Sequence, residues 1–414
     1  MHDTGNRERV ARPAERLRVV LPRRFRYAPV SLTFPAVLPL IFLLMGVSLV
    51  LSWLFTAAMI RIAPRIGFVD HPGHRKIHAN PKPLGGGVAM FWAVAIPVIL
   101  GVAGLYSGLL PGRLADQHET MLALARGAKQ QAPLALGMLA GAFVLHVLGL
   151  IDDKRALGPW IKLVVQLAVT AAFVVHFDVR AVTALDHLGA GKWPSVTLTI
   201  LWIAAISNAF NFLDNMDGLS AGVAAVCAIA FLVTTILIEQ WFVAATLALL
   251  IGALLGFLWF NFPPARIFMG DSGSLVIGFI LGVLTVRTTF LPKGEDFAAG
   301  WYAIFAPVIV LAVPLYDLIV VSIIRLARGH SPFRGDTNHF SHRLVARGMS
   351  RRTAVLCIYV VTAATSTSAI VLPWARSTFA AVLIFSQTML VLFLVAMLEQ
   401  HPLPAAWRND ETKK

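Results

Sequence analysis

The chain has 414 residues, of which 57% are hydrophobic and 14% charged, and its formal net charge is +14. A soluble domain carries about 25% charged residues, so a water-soluble fold of this composition would expose far too much apolar surface. The positive excess, which in a soluble protein would raise nucleic-acid binding, belongs here to the ends of membrane spans and to anionic head groups, and no nucleic-acid partner is expected.

A span needs roughly 20 apolar residues to cross about 30 Å of hydrocarbon. About eleven segments qualify, near 35–60, 86–106, 132–151, 159–177, 195–213, 218–238, 240–261, 273–291, 301–325, 353–373 and 376–398. Open sheet edges cannot live in lipid, so these are predicted helices and the expected fold is an all-α polytopic membrane protein. A basic tail (1–34) precedes the membrane domain (35–400), and a polar tail (401–414) follows it. Cys227 and Cys357 lie inside apolar runs and are read as small buried hydrophobes rather than as a disulfide or zinc framework.

Eleven spans make the loops alternate sides. One face receives 61–85, 152–158, 213–217, 262–272 and 326–352, and it carries most of the loop arginines and lysines, among them Arg75, Lys76, Lys82, Lys154, Arg155, Arg266, Arg328, Arg343 and Arg347. The positive-inside rule makes that face cytoplasmic, in an inner cell membrane. The N-terminal tail dissents: Arg7, Arg9, Arg12, Arg16, Arg18, Arg23, Arg24 and Arg26 fall on the other side by the same count, which leaves that tail's side open.

The chemistry-bearing residues share the basic face. Asp152 and Asp153 end the third span as adjacent carboxylates, which suits a metal or a base as well as plain interfacial charge. The stretch NAFNFLDNMDGLSAG places Asn208, Asn211 and Asn215 on one helical stripe, with Asp214 and Asp217 elsewhere, so a helix break before Gly218 is predicted. In MGDSGSL, Asp271 precedes a helix expected to start near Gly273, whose backbone N–H groups would favour phosphate while Asp271 held a divalent cation. In DTNHFSHRL, His339 and His342 would share a face if helical, and Arg343 adds a fork suited to phosphate oxygens. Asp317 lies inside the ninth span, as a functional acid or as a structural hydrogen-bonding group. His146, His176 and Glu239 have no comparable company and are left as structural or interfacial.

These motifs, from Gly67 to Ser350, together resemble the polyprenyl-phosphate N-acetylhexosamine-1-phosphate transferase family, of glycosyltransferase family 4 type. The likeness is greatest to its UDP-N-acetylglucosamine:undecaprenyl-phosphate branch, because RKIHANPKPLGGG marks that branch over the phospho-N-acetylmuramoyl-pentapeptide transferases. The resemblance implies that Lys76 and His78 face the substrate and that Asp152 or Asp153 deprotonates the lipid phosphate. It implies that Lys162 and Gln166 form a Lys-x3-Gln motif and that Asn211, Asp214 and Asp217 form an N-x-x-D-x-x-D core. Asp271 would bind Mg²⁺, with Asp214 or Asp217 beside it and Mn²⁺ as a substitute, and His339, His342 and Arg343 would hold the diphosphate. Two positions depart from the family pattern: Asn215 stands where many members have Gly, and Ser341 where many have a middle His.

The implied partners are a polyprenyl phosphate, a UDP-N-acetylhexosamine and membrane lipids, with a homodimer left open. A lipid or solute transporter is the alternative from another class. Transporter sites lie near the midplane at broken helices, whereas the polar groups here collect at span ends.

Overall fold

The computed structural model describes residues 33–70, 81–107, 119–188, 191–288, 301–333, 338–375 and 377–399. Most of both tails, together with Lys76, His78 and Asp336, lies outside the described residues. Thirteen helices follow one another among them: α1 Thr33–Arg65, α2 Gly86–Tyr106, α3 Glu119–Lys154, α4 Pro159–Phe177, α5 Trp193–Leu213, α6 Leu219–Leu237, α7 Trp241–Asn261, α8 Asp271–Arg287, α9 Ala306–Val310, α10 Ala312–Ala327, α11 Phe340–Ala346, α12 Arg351–Val371 and α13 Thr378–Leu398. Two two-residue strands, β1 Val69–Asp70 and β2 Lys82–Pro83, pair antiparallel between α1 and α2. The chain is an all-α, multi-pass membrane protein.

Nine of the described helices (α1 to α7, α12 and α13) are long and apolar enough to cross a membrane. The other two expected spans take different forms. α8 has 17 residues, about 25 Å at 1.5 Å per residue. The 301–325 segment is broken into a 3₁₀ turn (Trp301–Phe305), α9 and α10. The break has a local cause. Pro314 has no N–H for the Val310 carbonyl and its ring would crowd it. That carbonyl instead accepts from Cys227 Sγ at 3.3 Å and Ser366 Oγ at 3.4 Å.

α8 is apolar all round and is buried from Ser272 to Thr285, as a helix with no polar face must be. Phe279 from α8 meets Phe173 of α4 edge to face at 5.9 Å. A Cβ on Gly149 of α3 would land on the Ser272 backbone, and one on Gly87 of α2 on the Gly273 N. Bare backbone at those two glycines is therefore what lets α2 and α3 close on the start of α8. α1 lies along α7 by the same means. Gly252 and Gly256, four apart, bring the backbones together, and Ser48 and Ser52 each donate to an α7 carbonyl (Leu249 and Ala253) at 2.6 Å. In a bilayer such interhelical hydrogen bonds are worth about 0.6 kcal/mol on average, so close van der Waals packing does most of the holding.

Candidate active site

The predicted break between the fifth and sixth spans is present. α5 stops at Leu213 and α6 starts at Leu219 after Gly218, whose φ of 73° suits glycine. The intervening turn carries Asp214, Asn215 and Asp217. Asp217 Oδ2 accepts the Ala265 N–H at 2.8 Å, and Asp214 accepts from the Gly270 backbone. Both acids therefore reach the 262–270 loop. Lys82 Nζ donates to the Ala265 carbonyl at 2.7 Å, and Gly86 N to the Phe268 carbonyl at 3.0 Å, which brings the β2 end of the 61–85 loop to the same place.

Asp271 is the hub. Its Oδ1 accepts from Asn211 Nδ2 of α5 at 2.8 Å, and its Oδ2 from Lys162 Nζ of α4, also at 2.8 Å. Lys162 donates as well to Asp152 Oδ2 of α3 at 3.0 Å, and Asp152 Oδ1 accepts the Leu157 N–H at 2.7 Å. One ammonium thus bridges carboxylates that begin 119 positions apart in sequence (271 − 152). Gln166, one turn along α4, accepts from Asn208 Nδ2 at 2.6 Å and keeps α4 in register with α5.

α8 begins at Asp271 itself, two residues before the expected start near Gly273. The backbone N–H groups expected to favour phosphate are taken by protein. Asp153 Oδ1 accepts from Asp271 N at 2.8 Å and its Oδ2 from Ser272 N at 3.2 Å. Gly273 N and Ser274 N donate to the Gly270 carbonyl, both at 3.1 Å. Asp153 is therefore an N-cap supplied by another helix, where a negative charge also suits the helix dipole. Gly270, at φ 74°, leaves room for that carboxylate; a Cβ there would collide with it.

The electrostatics are lopsided. Burial holds the Asp214 carboxyl well above the usual carboxylate range, and the charges of Asp271, Asp153 and Asp217 add to the effect. The donor set is all oxygen and short of positive charge, which suits a hard divalent cation. Among the described residues no group of three or more His, Cys, Asp or Glu side chains forms a ready-made cage. Mg²⁺ does not need one, since it is usually held by one or two carboxylates plus substrate phosphates.

The histidine motif divides. His339 is not in a helix; it is the N-cap residue of α11. It is buried, its Nδ1 donates to Asp317 Oδ2 at 2.8 Å, and its Nε2 lies 3.3 Å from Arg325 Nη2. Asp317 Oδ1 accepts the Phe340 N–H at 2.7 Å. An Asp at a helix centre in a bilayer costs about 2.5–3.5 kcal/mol, and these two bonds offset that, so the intramembrane acid anchors α11. Buried Arg325 also stacks over Phe212 at 5.0 Å. His342 lies in α11 and is half-buried. Arg343 closes its fork on Glu399, with Nε to Oε2 at 2.9 Å and Nη2 to Oε1 at 3.0 Å. Ser341 Oγ donates to Asn215 Oδ1 at 2.6 Å, so the two positions that depart from the family pattern bind each other.

Several of these groups escaped sequence reasoning. Glu399 is a single acid after a largely apolar helix, and Arg325 ends an apolar run; each reads as interfacial charge. His146, read as structural, is indeed buried. It stacks on Phe91 at 4.7 Å, and its Nδ1 lies 2.9 Å from the Ser272 carbonyl, bracing the start of α8.

A model of glycosyl transferase family 4 matches residues 135–289, from the middle of α3 to just past the end of α8. A Bacillus subtilis protein named probable undecaprenyl-phosphate N-acetylglucosaminyl 1-phosphate transferase is 32% identical over 359 residues, 85% of this chain and 90% of that one. The chain belongs to glycosyl transferase family 4. A Mycolicibacterium smegmatis decaprenyl-phosphate N-acetylglucosaminephosphotransferase is likewise 32% identical, over 77% of this chain and 78% of its own. An Escherichia coli undecaprenyl-phosphate alpha-N-acetylglucosaminyl 1-phosphate transferase is 26% identical over 88% and 93%. The matched family region contains Asp152, Asp153, Lys162, Asn211, Asp214, Asp217 and Asp271, and the helix bearing His342 joins them through the Asn215–Ser341 bond.

Proposed function

We propose that this family-4 protein transfers N-acetylglucosamine-1-phosphate from UDP-N-acetylglucosamine to a polyprenyl phosphate, releasing UMP. The observation that carries this reading is the meeting of Asp152 and Asp153 (α3), Lys162 (α4), Asn211 (α5) and Asp271 (α8) in one hydrogen-bonded cluster at the ends of four helices. Such a cluster can serve a lipid-borne phosphate and a water-borne nucleotide at once. In the reaction, an oxygen of the lipid phosphate forms a bond to the sugar-bearing phosphorus. The bond from that phosphorus to the UMP oxygen breaks, with attacking and leaving oxygens in line.

The chain's own residues supply position and charge. Mg²⁺, held by Asp271 with Asp214 or Asp217, would neutralise charge on the diphosphate. Asp153 fixes the start of α8 and so the place of Asp271. Lys162 keeps Asp152 and Asp271 paired. A phosphate monoester's second pKa is near 6, so little general-base work falls to Asp152 or Asp153. His339, with both ring nitrogens engaged, anchors α11, and His342 is assigned to the diphosphate on the strength of its motif. The excess of basic residues in the loops on the site's face supports a cytoplasmic-side site in an inner membrane. Lys76 and His78 complete the donor side on the strength of their motif.

The test is direct. Purified protein with a polyprenyl phosphate, Mg²⁺ and a panel of UDP-sugars should release UMP with UDP-N-acetylglucosamine. Its product should be a polyprenyl-diphosphate sugar. Release only with a UDP-muramoyl-pentapeptide donor, or with none, would overturn the proposal.

A further inference from the structure

Glu399 directly follows α13, the helix that ends the described part of the chain, and its carboxylate is buried. It accepts from both sides of the Arg343 fork at 2.9 and 3.0 Å and from the Tyr316 hydroxyl of α10 at 3.2 Å. Its backbone carbonyl accepts from Arg347 Nε at 2.7 Å. Arg343 Nη1 also donates to the Asn338 carbonyl, just before α11. One residue thus grips the seven-residue α11 at Arg343 within it and at Arg347, its C-cap, while the Asn215–Ser341 bond holds it against the aspartate turn. A bidentate Arg–carboxylate pair fixes orientation as well as distance. A helix this short has little rigidity of its own, so its attachments to Asp317, Asn215 and Glu399 together set where His342 points.

We propose that Glu399 is a positioning residue for the reaction: by closing on Arg343 and Arg347 it aligns α11, and with it His342, against the aspartate cluster. In this arrangement Arg343 acts through Glu399 and not on the diphosphate. The inference rests on the transferase reading of α11 as one wall of the reaction site.

The test compares Glu399→Gln, Glu399→Asp, Arg343→Lys and the double variant Glu399→Gln/Arg343→Lys in the full-length protein, by UMP release and by thermal midpoint in detergent. A sub-ångström misplacement of a reacting group can cost about ten- to a hundredfold in rate. Glu399→Gln and Arg343→Lys should therefore each lower kcat about tenfold while KM for the UDP-sugar stays within about threefold. The double variant should be no slower than the worse single, and Glu399→Asp should recover part of the loss. The thermal midpoint should show the same non-additivity, a readout independent of catalysis. Three outcomes overturn the inference: a Glu399→Gln enzyme with wild-type kcat, additive losses, or a rise in KM confined to Arg343→Lys, which would put Arg343 on the substrate. Failure of the transferase reading shows itself separately, as wild-type protein that releases no UMP while the midpoints still couple.

Discussion

The Asp153 carboxylate on α3 accepts the backbone N–H of Asp271 on α8, at 2.8 Å. The side chain of one acid thereby sets the position of the other. Asp153→Ala should lower stability by about 0.5–2 kcal/mol, the usual cost of losing a helix cap. It should lower kcat about ten- to a hundredfold through displacement of Asp271, with KM for the UDP-sugar nearly unchanged. Steady-state kinetics and detergent-phase melting check this, and an equal loss of donor affinity would make Asp153 a ligand instead.

Asp271 carries the metal assignment. Chelation should stop UMP release, and added Mg²⁺ should restore it. Asp271→Asn should stay inserted and folded yet remain inactive across a magnesium titration. Near-normal activity of that variant would remove the assignment.

The same helix start can be moved by packing alone. A Cβ on Gly149 would press on the Ser272 backbone, and overpacking of this kind costs about 1–3 kcal/mol. Gly149→Ala changes no side chain of the cluster, but its methyl would press on Ser272 N, a donor to Asp153, and it should lower kcat at least about tenfold by shifting Asp271. Wild-type turnover in a well-folded Gly149→Ala protein would show that α8 has more freedom than its packing allows.

The Asn215–Ser341 bond invites a double-mutant cycle. Ser341→Ala and Asn215→Ala should each cost about 1 kcal/mol, and the pair should be non-additive by about 0.5–1.5 kcal/mol. Coupling near zero in both melting and turnover would mean that α11 is held without it.

At the other end of the bundle, Arg180 pairs with Asp178 and Asp186. A hydrogen bond from Ser195, helped by Arg180, holds the Asp186 carboxyl below its ordinary range. A folded-state pKa below the unfolded one, about 3.9, gives stabilisation that is present above that pH and lost as pH falls through the folded value. Amide protection in 178–188, taken relative to the intrinsic exchange rate at each pH, should therefore fall below about pH 4, and Asp186→Asn should show low protection at every pH. A pH-independent wild type would contradict the pairing.

Much of the arrangement was legible in the sequence because a bilayer leaves few choices. Apolar runs of 20 residues had to be helices, and alternation put Asp152, Asp217 and Asp271 at one end. The helix break at Gly218 followed from acids that no straight helix could place on one face. Roles were harder to read. Asp153 looked like a partner of Asp152, but it caps a helix 118 positions away (271 − 153), and nothing in local spacing encodes that pairing. His339 looked like the twin of His342 until Asp317 and Arg325, both within an apolar run, took its two nitrogens. The eleven-span count likewise presumed unbroken helices, and Pro314 interrupts one.

The Arg343–Glu399 pair also has a temporal side. Glu399 comes later in the chain than every acid, amide and imidazole of the cluster, so the pair cannot close until α13 has been synthesised and has entered the bilayer. A nascent polypeptide halted after α12 would already hold the carboxylates, the lysine and the imidazoles, but α11 would still lack its fastening to Glu399. Closure of the Arg343–Glu399 pair therefore waits on the insertion of α13.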